Sequence, residues 1–386
     1  MASLHICIVT TGHPIDDVRV NEKVAQSFIA AGYRVSWVGP NFAFFDDKAP
    51  LKSAIEFHLT TRKRRSLDRL LAIFKVYPAA RRIPNVDVYY APEPDSALIA
   101  VRLARINHAR AIFDIHEVYH GPLLNKWLRG MKAAWFREFV RRRMVALCAK
   151  CDLTMGVSDA VLDFYQPPSE RRLVARNCAP LWFASEPPSD VCGPSRKTFT
   201  LMHGKRTLQR GTIPVLEALS IASKKAPNLR VVMFNHVAAG HDHEYIIFQE
   251  EVRKLNLEAV VDLRQGISMK EMPATLRECD AGFIAYGKEL GLDSLPNRIF
   301  EYMAAGLPVI VPRYAREIVA IVEPEKCGLT VDFEDSEEIA KAILILWKNP
   351  GESRLMGKRG RIAFEQRHNW GSEFKKVIER INSWNS

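Results

Sequence analysis

Gly291-Leu-Asp-Ser-Leu-Pro-Asn-Arg-Ile-Phe-Glu-Tyr-Met-Ala-Ala-Gly-Leu-Pro-Val-Ile310 decides the reading of this chain. Ser294 is placed to cap a helix, and Pro296 suits its first turn. Gly306 ends that helix and Pro308 opens a strand. Ile299, Phe300 and Met303 form an apolar stripe, while Asn297 and Glu301, four apart, share the other face. The leading turn of such a helix offers bare N–H groups and the positive end of a dipole, which suits phosphate oxygens. A carboxylate one turn further in suits a pair of sugar hydroxyls.

Outward from this segment the same alternation repeats. Strand runs are expected at Thr198–His203, Leu229–Phe234, Val260–Leu263, Ala281–Ala285, Pro308–Val311 and Leu329–Val331, with helical patterns between them. Upstream, apolar runs at Leu4–Thr10, Tyr33–Val38, Val86–Tyr90 and Ala111–Ile115 alternate with helical stretches such as Val20–Ala31 and Asp95–Asn107. Continuous apolar strands alternating with helices imply an α/β fold, with parallel sheets covered on both faces. The Pro- and Ser-rich stretch 183–195 reads as a linker. It separates an N-terminal domain, 1–182, from a C-terminal one, 196–365. A last amphipathic helix within 366–386 is expected to return to the first domain. In open α/β sheets ligands lie beyond the carboxyl ends of the strands, so a cleft between two such domains is the expected site.

The 386 residues carry a net charge of +11 and seven cysteines, of which only Cys148 and Cys151 form a CxxC. An excess of positive charge implies an anionic partner. No apolar stretch reaches the ~18 residues of a membrane span. The N-terminus lacks a secretory signal pattern, so reduced thiols and a cytoplasmic location are expected. The histidines His236, His241 and His243 lack supporting ligand spacing, and no metal site is expected. Neither a Gly-x4-Gly-Lys-Ser/Thr phosphate loop nor a Gly-x-Gly-x-x-Gly fingerprint is present.

The 291–310 segment resembles the donor-binding signature, E-x7-E, of retaining glycosyltransferases of the fourth sequence family. Its phrase Leu-Pro-Asn-Arg-Ile-Phe-Glu-Tyr-Met-Ala-Ala-Gly-Leu-Pro is similar to that of polysaccharide-assembly members. The resemblance implies the GT-B fold, two Rossmann-like domains facing across a cleft. It implies that Glu301 holds the nucleotide ribose and that Asp293, in the first acidic place, contacts the transferred sugar. Leu295, Pro296, Asn297 and Arg298 count with that nucleotide-sugar site. The segment from His203 to Gly211 resembles the family's Gly-Arg-x4-Lys-Gly element. Gly204 holds a glycine place, and Arg210 and Lys205 are expected to stabilise the leaving diphosphate, with Arg206 as a further cation. Ala111-Ile-Phe-Asp-Ile-His-Glu-Val118 resembles the Asp-x-His-Glu variant, so His116 should approach the transferred sugar, with Glu117 beside it. In the loop after the first strand, Gly12 and Arg19 are candidates for the acceptor and diphosphate side.

The implied reaction moves a sugar from a UDP- or GDP-sugar to a glycan or glycolipid acceptor, as a metal-independent hexosyltransferase without a separate cofactor. Residues 60–82 and 126–150 each hold eight Lys/Arg interleaved with apolar and aromatic residues. Such basic amphipathic stretches suit an anionic membrane surface, which implies a peripheral position on the inner face of the cell membrane, with no nucleic-acid partner. Two other readings stay open: a nucleotide-sugar epimerase of the same fold, and a basic nucleic-acid-binding protein.

Overall fold

The computed structural model describes residues 3–41, 54–61, 66–116, 131–185, 198–235, 242–292 and 294–384. These form two compact units, 1–177 with 373–386 and 178–372.

Unit 1 is built on a seven-stranded sheet, order β3-β2-β1-β4-β5-β6-β7, all parallel. The strands are β1 (His5–Val9), β2 (Arg34–Pro40), β3 (Ile55–Thr60), β4 (Val88–Ala91), β5 (Arg110–Ile115), β6 (Leu153–Gly156) and β7 (Arg172–Val174). Central strands read as unbroken apolar runs because both faces are covered; every residue of β1 and β4 is buried. A π-helical stretch, Val18–Ala25, runs into α1 (Gln26–Ala30). The other helices are α2 (Ser66–Arg81), α3 (Pro94–Asn107), α4 (Met131–Cys148) and α5 (Asp159–Tyr165). Order reverses between β1 and β4, so the loops after those two strands open the crevice where such sheets bind ligands.

Unit 2 carries a six-stranded parallel sheet, order β10-β9-β8-β11-β12-β13. Its strands are β8 (Phe199–Lys205), β9 (Leu229–Asn235), β10 (Val261–Gln265), β11 (Ala281–Phe283), β12 (Val309–Pro312) and β13 (Gly328–Val331). The helices are α6 (Thr212–Ser223), α7 (Asp242–Lys254), α8 (Met272–Arg277), α9 (Lys288–Gly291), α10 (Arg298–Ala305), α11 (Arg316–Glu325), α12 (Ser336–Lys348) and α13 (Pro350–Gln366). One apolar cluster gathers Val309, Val311, Phe300 and Met303, and a second gathers Leu201, Leu216, Ile310 and Ile343. Neighbouring β12 residues alternate between the two, so the sheet has a core on each face. Here the order reverses between β8 and β11.

The chain passes from unit 1 to unit 2 between Asn177 and Cys178, ahead of the stretch 183–195 read as a linker. Phe183 packs into the core of unit 2. The last helix, α14 (Trp370–Asn382), lies from Glu373 onward in unit 1. There Phe374 meets Phe28 edge-on at 4.9 Å, and Val377 and Ile381 are fully buried. Tyr33 donates to Asn382 at 2.7 Å.

Candidate active site

In unit 2 the switch point is occupied by cations. At the end of β8 the ladder slips between Met202 and Gly204, a bulge that re-aims the strand. Gly204 has φ +82°, and a Cβ there would come within 3.0 Å of Arg298 Nη1. Only glycine satisfies both conditions. Arg298 Nη1 donates to the carbonyl of His203 at 2.7 Å. Its Nε and Nη2 are buried with no hydrogen-bond acceptor among the described residues. Arg210, in the short turn Leu208–Arg210, sits 5.5 Å from the centroid of Tyr286, and the Arg298 guanidinium sits 5.7 Å from that same ring.

No described carboxylate forms an ion pair with Arg210, Arg298 or Lys205. Burial and then the Arg298 charge push Arg210 below the usual arginine range. Burial and then Arg210 lower Lys205. Arg298 keeps its charge against burial because the phenols of Tyr302 and Tyr286 favour it. Between the arginines lies His203, fully buried with both ring nitrogens unpartnered; burial, then Arg298 and Arg210, lower it to about 3. It is therefore neutral. Glu301 and Glu244 offset part of this charge, but no described carboxylate pairs with it directly, and like charges held together in this way suit an anion.

The helix α10 begins at Arg298, with Asn297 rather than Ser294 in the capping place. The amides of Ile299, Phe300 and Glu301 are taken up by the carbonyls of Pro296 and Asn297, so that among the described residues those of Asn297 and Arg298 are the donors the turn leaves over. Asn297 Nδ2 donates to Glu301 Oε1 at 2.9 Å, so the expected shared face is present. Glu301 is buried, and Leu295 and Pro296 are half-buried. Behind α10, Gly357 of α13 lies so close to the carbonyl of Gly306 that a Cβ would sit 1.9 Å from the oxygen. Arg361 donates to the carbonyl of Ala304. These contacts fix the helix against its neighbour.

Arg206 does not join the cation cluster. Its Nε and Nη2 donate to Asn235 Oδ1 at 3.1 and 2.6 Å, and its guanidinium stacks over Tyr245 and Phe248 at 4.7 and 5.4 Å. It ties β8 to β9 and α7, and Lys205 is the cation that shares space with Arg210. Asp293 and Glu117, expected in the site, lie outside the described residues, as do His236 and His241.

Unit 1 has its own cluster at the β1/β4 switch point. Glu93, at the N-cap of α3, accepts from Thr10 Oγ1 at 2.7 Å and from the amides of Gly12 and His13 at 2.8 and 3.0 Å. The amide of Gly12, expected to face a ligand, is thus spent on an internal carboxylate. Arg19 is turned inward as well. Its Nε and Nη2 fork onto the fully buried Asp114 at 3.1 and 2.9 Å. Tyr90 donates its hydroxyl to the same carboxylate. His116 Nε2 bonds Asp114 Oδ2 at 2.9 Å. Burial alone would raise Asp114, yet Arg19 and His116 hold it far below the carboxylate range.

The sequence reading missed Glu93, His13, Asp17 and His203. His13 Nδ1 lies 3.0 Å from Asp17 Oδ2, and its ring meets that of His116 edge-on with centroids 5.4 Å apart. A Gly-His pair after a first strand was the one available signal. The partner Glu93 is 80 residues away and had none.

Solved structures share this architecture over nearly the whole chain. HepE of Anabaena, crystallised with UDP, superposes with a TM-score of 0.76 at 17% identity, covering 98% of this chain and 100% of that one. Sucrose-phosphate synthase of Thermosynechococcus elongatus gives 0.75 at 16% identity, covering 99% of each. A glycosyltransferase of Rickettsia africae gives 0.76 at 15%, covering 98% of each. The fold is GT-B. Within this GT-B chain, residues 193–363 match the family model described as glycosyl transferases group 1. Among curated proteins, the UDP-glycosyltransferase TURAN of Arabidopsis thaliana is 26% identical over 184 residues, 47% of this chain. The match spans only 38% of that protein's length.

Proposed function

We propose that the chain is a retaining glycosyltransferase that takes its sugar from a nucleoside diphosphate sugar, with UDP as the carrier. The observation that carries this is the cation cluster Lys205, Arg210 and Arg298, with which no described carboxylate forms an ion pair and in which Arg298 holds two buried nitrogens without an acceptor among the described residues. A pyrophosphate would supply the missing charge. As the glycosidic bond breaks, negative charge grows on that pyrophosphate, and fixed cations in a dry site stabilise it without reorganising. The same cations would make a divalent metal dispensable. Glu301, one turn into α10 and bonded by Asn297, would hold the ribose hydroxyls. UDP is preferred over GDP because HepE was crystallised with UDP and with UDP-glucose, and TURAN is described as a UDP-glycosyltransferase. His116 would meet the sugar, and the donor phosphate would take the acceptor proton.

The acceptor would be a saccharide, carried on lipid, in surface polysaccharide assembly. Exposed rings support a membrane-facing position. Phe74 on α2 is 75% exposed and Trp135 on α4 is 72% exposed, the latter stacked on Phe139. Arg143 lies over the Phe139 ring at 5.2 Å. Residues 62–65 and 126–130 of the two basic stretches lie outside the described residues, and no described helix is long and apolar enough to cross a membrane.

Calorimetric titration with UDP and GDP in the presence of EDTA tests the donor site. UDP should bind, and Arg210→Ala should weaken it about 10–100-fold, or ~1.4–2.7 kcal/mol. Absence of UDP and GDP binding, or affinity unchanged in Arg210→Ala, would remove the basis of the reading. Production of a rearranged nucleotide sugar from donor alone would replace transfer by epimerisation.

A further inference from the structure

We propose that His13 and His116 together form a sugar-hydroxyl site in unit 1, in which His13 donates a hydrogen bond and His116 accepts one. The proposal rests on the glycosyltransferase reading and adds a residue and a pH dependence to it. Geometry assigns the two roles. His116 Nε2 faces the Asp114 carboxylate at 2.9 Å, so the proton of the neutral ring sits there and Nδ1 is the acceptor. His13 Nδ1 faces Asp17 at 3.0 Å, and its Nε2 lies 3.8 Å from Glu93 Oε1. Nδ1 is engaged by Asp17, while Nε2 is beyond hydrogen-bond reach of Glu93, so Nε2 is the nitrogen left to donate to a ligand, and the two carboxylates favour the protonated ring. The side chains of His13 and His116 are 22% and 17% exposed, so both remain open to a small ligand at the switch point.

Facing His13 among the described residues are Asp17 on its own loop, Glu93 after β4, and Asp114 and His116 at the end of β5, with Arg19 paired to Asp114. Burial works against its charge, but Asp17, Glu93 and Asp114 outweigh it and raise His13 above the usual histidine range. His116 is lowered, first by burial and with Arg19 and His13 adding to it. Neighbouring titratable groups pushed in opposite directions divide donor and acceptor work between them. The donor half is present below the raised midpoint of His13 and is lost as pH rises through it.

The test uses the full chain with histidine ring carbons labelled for NMR, and kcat/KM for UDP release from UDP-glucose. His13 should titrate above ~6.5 and His116 below it. The wild-type rate should fall on the alkaline side as His13 deprotonates. Asp17→Asn keeps the oxygen that caps Val20, so the fold should hold. It should move both the His13 midpoint and the alkaline limb to lower pH. His13→Gln should lower kcat/KM at least tenfold, with UDP affinity within twofold of wild type. Perturbation of the His13 and His116 signals by UDP-glucose but not UDP would assign the hydroxyl to the transferred sugar; perturbation by free glucose would assign it to the acceptor. UDP alone giving the full perturbation, or a pH profile unchanged in both variants, would overturn the proposal. Failure of UDP to bind the wild type would instead overturn the donor reading, and the NMR titration would show that separately.

Discussion

Arg19 and Arg298 both bring guanidinium nitrogens out of solvent at the carboxyl edge of a parallel sheet. They do so under opposite electrostatic conditions. Arg19 is answered by Asp114, which also binds Tyr90 and His116. Arg298 donates to one backbone carbonyl and forms no ion pair with a described carboxylate; Tyr302, Tyr286 and Glu301 favour its charge, and Arg210 and a neutral histidine lie beside it. In the first arrangement a carboxylate already balances the arginine's charge. In the second, an anion would relieve repulsion between cations. Removing charge should therefore cost folding free energy in unit 1 and binding free energy in unit 2.

The largest test of that contrast is Asp114→Ala. It strands a buried arginine, and we expect a loss of about 3–5 kcal/mol of stability in urea denaturation. A loss below 1 kcal/mol would break the comparison. Arg210→Ala should lower turnover on UDP-glucose ~10²–10³-fold, or ~2.7–4 kcal/mol, while the ligand-free protein keeps its stability within about 1 kcal/mol. A strongly destabilised Arg210→Ala protein would place the charge in the scaffold. Acidification comes next. His203 has a depressed folded value, so the unfolded chain binds its proton first and stability falls as pH drops from ~6.5 toward ~3. Between pH ~6.5 and ~5 the loss should be on the order of 2 kcal/mol, and His203→Asn should flatten it. Asp114 contributes in another window: its stabilisation is present above ~4, the unfolded carboxylate value, and is lost only as pH falls below that. Smallest of all, Trp135→Ser, at an exposed position, should change stability by less than ~0.5 kcal/mol yet weaken binding to anionic vesicles in a flotation assay. Undiminished vesicle binding would remove the membrane role of that helix.

Most of the fold was legible because strands covered on both faces leave an unmistakable apolar run, as at His5–Val9 and Val309–Pro312. The 291–310 segment was legible because its helix is local: Asn297 and Glu301 lie one turn apart, and their contact follows from spacing alone. Long-range pairing was not legible. Arg19 was read as a ligand contact, but its carboxylate is 95 residues away and turns it inward. Lys205 and Arg206 are adjacent cations that the sequence leaves equivalent. Strand alternation sends one toward Arg210 and the other onto Tyr245 and Phe248. Glu93 was not legible, since nothing near it in sequence announces that three groups of the β1 loop converge on one of its oxygens.

The return of α14 to the first unit has a consequence for how the protein is made. Phe28 waits for Phe374 and Tyr33 for Asn382, so this half cannot complete these contacts until residues 374–382 have left the ribosome. The intervening 178–372 stretch emerges whole and can mature beforehand. Synthesis order and completion order are thereby reversed: the half translated first is the last to close.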